Sequence, residues 1–364
     1  MLKHRLYNFL SNIDRILMAL IMLLILVGLI TLASATHQTT SLIGNQIINI
    51  IVGIMLLIFL SNINPKLFLF LAPHLYILSL ILLISVVIFG FESHGAKRWI
   101  NILFFNLQPS EIIKITIPIM VAWLYHRYQN NINYLTHSVA LVILIIPCLI
   151  ILKQPDLGTA IIIFFSGLIV IFLAGLSIKF ILISILSILL ASPFLWSTLH
   201  LYQQNRIISL IDPSHDPLGT GYHSIQSMIA IGSGGFLGKG WSYGGQTQLN
   251  FLPETSTDFI FSVFGEEFGF IGIIGIFILY FLILYRCFDM AQKMQNTFSR
   301  LTAAALVFTL FSSTFVNIAM VSGVLPIVGA PLPFISYGGT SMVVSLTMIG
   351  IIMSLHSNKS LIAN

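Results

Sequence analysis

Residues 246–269 read QTQLNFLPETSTDFIFSVFGEEFG, a polar stretch that turns into a long apolar helix at Asp258. One carboxylate thus stands where water gives way to hydrocarbon, and Asp258 is the leading catalytic candidate. The rest of the chain identifies the solvent. Of 364 residues 57% are hydrophobic and 7% charged, against roughly a quarter charged in an ordinary soluble domain, so the expected surrounding is a lipid bilayer.

Apolar runs approaching the ~20 residues that cross a hydrocarbon core begin near Arg15, Asn45, Phe70, Ser110, Leu157, Ser177, Asp258, Arg300 and Ser336. A tenth, Ser138–Leu152, is short and ends at Lys153-Gln154-Pro155-Asp156. Alternating β patterning is absent, which excludes a lipid-spanning barrel and leaves a helical bundle. The expected fold is an all-α polytopic membrane protein of about ten transmembrane helices, one integral domain over 1–364. A large loop, 199–257, lies between helices 7 and 8.

Lys and Arg in the flanks set the orientation. With a cytoplasmic amino terminus the inner flanks hold Lys3, Arg5, Arg15, Lys66, Arg127, Lys179, Arg286, Lys293, Arg300 and Lys359. The outer side holds Lys97, Arg98, Lys114, Lys153, Arg206 and Lys239. This bias puts both termini inside and segment 199–257 outside. The net charge of +5 reads as topology, with no basic block dense enough for nucleic acid.

Ala33-Ser34-Ala35 resembles a signal-cleavage site, but Ile16–Ala33 exceeds a signal core of roughly 7 to 15 residues and is retained as a span. Cys148 and Cys287 fall in spans and are expected to pack, forming neither a disulfide nor a thiolate metal site. In the long loop, nine of the 27 residues from Gly219 to Gly245 are glycine, interleaved with Tyr222, Phe236, Trp241 and Tyr243. That composition suits ordered backbone turns, and Gln226–Ile231 suits a short amphipathic or re-entrant helix. No spacing matches a P-loop or dinucleotide fingerprint.

Glu111 and Lys114 share a helix face; in a membrane segment such groups mark a functional interior, whereas in water they are a surface contact. Asp156 opens a helix, where capping explains it equally well. Arg98 and Trp99 fit an interfacial snorkel and an aromatic belt. Asp258 differs, because Thr255 or Ser256 can cap its helix. Glu266 is some 12 Å away along a helix at about 1.5 Å per residue, too far for a dyad. A lone acid at this boundary suits single-base chemistry or proton-coupled transport, and the residues alone leave both open.

Four blocks in order resemble the SEDS family (shape, elongation, division and sporulation). They are Gln154-Pro155-Asp156-Leu157-Gly158-Thr159, Gly221-Tyr222 through Ile231-Gly232-Ser233-Gly234-Gly235, Phe251-Leu252-Pro253-Glu254 with Thr257-Asp258-Phe259-Ile260-Phe261, and Pro331–Ser341. Gly238-Lys239-Gly240-Trp241 with Gln246-Thr247-Gln248-Leu249 is closer to the family's elongation member than to its division member. The resemblance implies a peptidoglycan glycosyltransferase that polymerises lipid II at the outer face of the bacterial inner membrane. Its implied partners are a class B penicillin-binding protein and other elongation-complex membrane proteins. It also implies that Asp258 is the essential acid and that Arg98, Glu111, Lys114 and Asp156 are charged cavity residues binding substrate. Where the family pattern has a basic residue and a histidine before the acid, this chain has Thr255-Ser256.

For that chemistry, an α-linked donor and a β-1,4 product mean inversion by one displacement, with a base at the acceptor hydroxyl and cations at the pyrophosphate. Arg98 and Lys114 are the nearest candidates for those cations, and a divalent ion, Mg or Mn, can share their work. The rival reading is a lipid II flippase using the same charges. Against it stand the lack of a clear internal repeat and a motif cluster on one surface. A non-catalytic scaffold leaves the acid and the loop glycines without a role.

Overall fold

The computed structural model describes residues 12–36, 39–93, 96–102, 105–176, 220–249, 251–252 and 254–357, with a few single positions between 177 and 219. The span expected from Ser177, most of the loop portion 199–219 including Arg206, and Pro253 lie outside the described residues. So do Lys3, Arg5, Lys179, Lys359 and the side chain of Lys97. In chain order the elements are helices α1 (Arg15–Ala35), α2 (Thr40–Ser61) and α3 (Pro65–Phe89), then strands β1 (Phe91–Ser93), β2 (Ala96–Ile102) and β3 (Phe105–Leu107). Helices follow: α4 (Pro109–Arg127), α5 (Tyr134–Lys153), α6 (Leu157–Leu173), α7 (Thr220–Ser233), α8 (Gly245–Gln248), α9 (Ile260–Gln292), α10 (Thr297–Val321) and α11 (Gly339–Ser357). Seven of these, α1, α2, α3, α5, α9, α10 and α11, are long and apolar enough to cross a membrane, and the chain is a multi-pass helical membrane protein.

Polar caps start several helices earlier than hydropathy alone suggests. Asn64 accepts from Lys66 N with Pro65 in the first turn, where a missing N–H costs nothing. Asn296 caps α10 through Phe298 N. The short run at Ser138–Leu152 belongs to the 20-residue α5, because Asn133 accepts from Thr136 N at 3.1 Å and Tyr134 opens the helix. The all-α expectation needs one addition. Strands β1, β2 and β3 form an antiparallel sheet in that order, pairing Phe91 with Trp99 and Ile100 with Leu107. β1 and β3 have three residues each, too few to show a period of two, and the seven residues of β2 do not alternate, since Lys97 stands beside Arg98 and Trp99 beside Ile100.

The bundle is arranged with its less apolar helix inside. α4 packs against α3, α10, α5 and α6, and most of its residues from Pro109 to Tyr125 are buried. The more apolar helices turn Phe59, Phe70, Phe89 and Phe281 outward, where lipid supplies the contacts. Asp14 caps α1 through Leu17 N at 2.8 Å and takes Arg286 of α9 at 2.8 and 3.1 Å. Burial opposes its ionisation, but these hydrogen bonds and the Arg286 charge hold its pKa below the usual aspartate value. The link therefore stabilises the fold above the unfolded-state pKa and is lost as pH falls through the lowered one.

α9 bends at Gly269, with φ 64° and ψ −163°. There the glycine-rich segment after α7 lies backbone against backbone: Lys239 N and Gly240 N donate to Glu266 O and Glu267 O at 3.0 Å, and Phe270 N donates to Gly235 O at 2.9 Å. A Cβ on Gly238, itself at φ +82°, would stand 2.1 Å from Glu267 O. Gly238→Ala is expected to destabilise the protein by about 1–3 kcal/mol through strain at that φ, read as a lower melting temperature in detergent. An unchanged melting temperature would mean that the contact yields freely.

Candidate active site

Asp258 sits in a turn spanning 254–259, closed by Thr257 N and Phe259 N donating to Glu254 O at 3.1 and 3.3 Å. Neither Thr255 nor Ser256 caps α9. The N-cap position is Phe259, which has no side-chain capping bond, while Thr255 Oγ1 donates to Ala35 O at 3.3 Å and Ser256 O accepts from Tyr337 N at 2.8 Å. Tertiary bonds hold this turn in place of a local cap. Asp258 is half-buried, and its Oδ2 lies 3.3 Å from where a Cβ on Gly329 would stand.

Gly329 begins a wall that continues through the Pro331–Ser341 block. Ser336 Oγ donates to Thr257 O at 2.6 Å and accepts from Leu332 N at 2.8 Å. Gln46 of α2 clasps the far end, donating to Ser336 O at 3.1 Å and accepting from Gly338 N at 3.3 Å, and Tyr280 OH donates to Pro333 O. Phe334 has φ +66°, a conformation costing about 1–3 kcal/mol in a non-glycine residue. These bonds over-determine it. On the same wall Pro331 and Pro333 join Ser313, Ser341 and Ser345 in lining a small cavity that contains Glu111 and Lys114.

Lys114 Nζ meets Glu111 Oε1 at 2.5 Å, with the residues 5% and 3% exposed. Charges that far from water persist only when paired. Arg98 and Asp156 both bond at one corner, the α5–α6 junction. Arg98, from β2, donates to the carbonyls of Gln154 and Pro155 at the end of α5, where a cation also suits the helix dipole. Asp156 does cap α6, its Oδ1 accepting from Thr159 N at 3.2 Å, while Oδ2 accepts from Gln108 Nε2 at 3.3 Å. Gln108 N in turn donates to Thr340 Oγ1 at 3.3 Å, which ties this corner to the start of α4 and to the wall.

Sequence reasoning passed over Glu266 as a structural anchor. Fully buried, it accepts from Lys239 Nζ at 2.7 Å, Gln246 N at 3.0 Å and Thr247 Oγ1 at 3.2 Å. Glu267 accepts from Ser34 Oγ and from Ser242 N at 3.0 Å. Both acids thus hold the glycine-rich segment to α9 and α1, and Lys239 is part of that anchor. The available signal was a pair of acids inside an apolar run. Among the described residues no group of three or more His, Cys, Asp or Glu is placed to hold a metal ion. Cys148 and Cys287 are buried and free.

Residues 9–361 match the family described as cell cycle protein, of FtsW, RodA and SpoVE type. Peptidoglycan glycosyltransferase MrdB of Escherichia coli K12 is 42% identical over 97% of this chain and 95% of its own length. A probable peptidoglycan glycosyltransferase FtsW of Trichlorobacter lovleyi is 36% identical over the same shares. Rod shape determining protein RodA of Thermus thermophilus superposes with a TM-score of 0.72 at 26% identity, covering 95% of this chain and 97% of that one. A structure concerned with coordination of polymerization and crosslinking by a peptidoglycan synthase complex reaches 0.84 at 30% identity, covering 96% and 98%. With this match running through nearly its whole length, the chain belongs to the SEDS family of FtsW- and RodA-type cell cycle proteins.

Proposed function

We infer that the chain is a peptidoglycan glycosyltransferase of the elongation type, polymerising lipid II into β-1,4 glycan at the outer face of the bacterial inner membrane. The observation that carries the reading is the wall from Gly329 to Ser341. It passes beside the Asp258 carboxylate at its start and bounds the Glu111–Lys114 cavity further along. Its closest support in kind is the name carried by the 42% identical relative.

In the proposed step the 4-hydroxyl of an acceptor sugar attacks the anomeric carbon of the donor. The new C–O bond forms as the bond to undecaprenyl pyrophosphate breaks, and the hydroxyl proton passes to Asp258. Inversion follows from the single displacement, which needs no enzyme nucleophile. Lys114 and Arg98 offset charge developing on the leaving pyrophosphate, while Glu111 and Asp156 hold the cavity and its corner in shape. The direct test is purified protein with lipid II and its penicillin-binding partner, scored for polymer on a gel. Absence of polymer from a folded complex would overturn the reading.

The proposal includes ten spans, one integral domain, both termini cytoplasmic and segment 199–257 outside. Tyr243, exposed in the glycine-rich segment, and Gln295, exposed between α9 and α10, then face opposite compartments. Tyr243→Cys is expected to react with a membrane-impermeant maleimide in spheroplasts and Gln295→Cys to be spared; the native thiols are buried. The reverse pattern would put Asp258 on the wrong face. A class B penicillin-binding protein is the proposed partner, together with other elongation-complex membrane proteins. Exposed Phe281 and Tyr285 on α9 and Phe311 and Phe315 on α10 offer an apolar surface for one more helix. The synthase complex among the structural relatives supports this.

A further inference from the structure

Asn317 lies near the end of α10 and is fully buried. Its Nδ2 donates to the backbone carbonyl of Asp258 at 2.9 Å and to that of Ala330 at 2.6 Å. Both partners can only accept, so chemistry fixes which way the amide points. Its Oδ1 has no partner among the described residues, and the two carbonyls account for the hydrogen bonds that hold the side chain there.

Those carbonyls belong to the two segments that meet at the candidate base. One is Asp258 itself. The other is the neighbour of Gly329, the residue whose Cβ position lies 3.3 Å from Asp258 Oδ2 and whose φ is +70°. Ser336 and Tyr337 stitch the same segments through Thr257 O and Ser256 O, whereas the Asn317 bond falls on the residue that carries the carboxylate. A glycine at 329 leaves that carboxylate room which a methyl group would press upon.

We propose that Asn317 is a positioning residue for glycan transfer, a one-amide clamp that sets Asp258 against a side-chain-free place in the wall. The proposal rests on the reading of Asp258 as general base. A base must come within about 2.6–3.2 Å of the proton it takes, and misplacement by about 1 Å can cost 10²-fold. The clamp therefore acts on turnover more than on substrate affinity.

The experiment measures initial polymerisation rates across lipid II concentrations for the wild-type complex, Asp258→Asn, Asn317→Ala and Gly329→Ala, with the melting temperature of each. Asn317→Ala is expected to lower kcat by about 10- to 100-fold, with KM for lipid II within about twofold, in protein still folded at the assay temperature. Gly329→Ala should lose kcat in the same direction with Asn317 intact, and Asn317→Leu, of nearly the same shape but without the donors, carries the test if Asn317→Ala does not fold. A folded Asn317→Ala with wild-type kcat, or a loss confined to KM, would overturn the clamp. The failures separate cleanly: an inactive wild type defeats the polymerase reading, and an active Asp258→Asn defeats the base. Loss in Asp258→Asn alone defeats only the clamp.

Discussion

Asp258→Asn is expected to abolish detectable glycan while leaving expression, membrane insertion and partner binding close to wild type. The amide matches the carboxylate in size and can occupy the same half-buried place beside Gly329, but it takes no proton at neutral pH. Positioned base catalysis contributes roughly 10²- to 10⁴-fold, enough to drop polymer below detection on a gel. Folding is spared because the turn's backbone carbonyls are held by Ser336 Oγ and Tyr337 N. A transport role predicts a different split, with polymerase activity intact and lipid II translocation into liposomes lost. Near-normal glycan from this variant would sink the mechanism while leaving the fold untouched.

Lys114→Ala is expected to be nearly as damaging, for an electrostatic reason. Removing one member of a buried pair costs about 3–5 kcal/mol, because Glu111, 3% exposed, is left to face the interior alone or to take up a proton. Lys239 anchors fully buried Glu266, so its removal would disturb the fold. Lys293, exposed at the end of α9, is the proper comparison. Polymerisation should fall steeply in Lys114→Ala and stay near wild type in Lys293→Ala. Combining Lys114→Ala with Glu111→Gln removes the orphaned charge and should recover melting temperature but not activity, if the cation serves the substrate. Recovery of both would make the pair a packing device, and equal activity in the two single variants would remove it from the site.

The bundle was legible because lipid selects long apolar runs, and starts read near Asn45 and Phe70 fell within one or two turns of Thr40 and Pro65. Errors arose where polar residues belong to helices: the Asn133 cap makes α5 a full 20 residues. The sheet around Trp99 stayed hidden because two of its strands have three residues and the seven-residue strand that carries Trp99 does not alternate. Asp258, Glu111, Lys114, Arg98 and Asp156 stood out as charges in an apolar chain. Asn317, Gln46 and Tyr280 did not, because their importance comes from partners far away in sequence, at Asp258, Ser336 and Pro333. The bend at Gly269 likewise depends on the approach of Gly238, a contact with no local signature.

The central place of α4 bears on how the protein is made. This helix carries the Glu111–Lys114 pair and is not among the seven that are long and apolar enough to cross a membrane, yet it lies inside the bundle against α10. An ionisable residue raises the cost of insertion, by up to about 2.5–3.5 kcal/mol at a helix centre and by less near an end, where Glu111 and Lys114 lie, so neighbouring helices help to retain α4. α3 is already synthesised when α4 emerges, but α10 begins only at Thr297. At about 5–20 residues per second the ribosome takes roughly 10 to 40 s to reach it. During that interval the pair lacks one of its covering walls, and a chain stalled there would present quality-control proteases with an incompletely shielded charged helix.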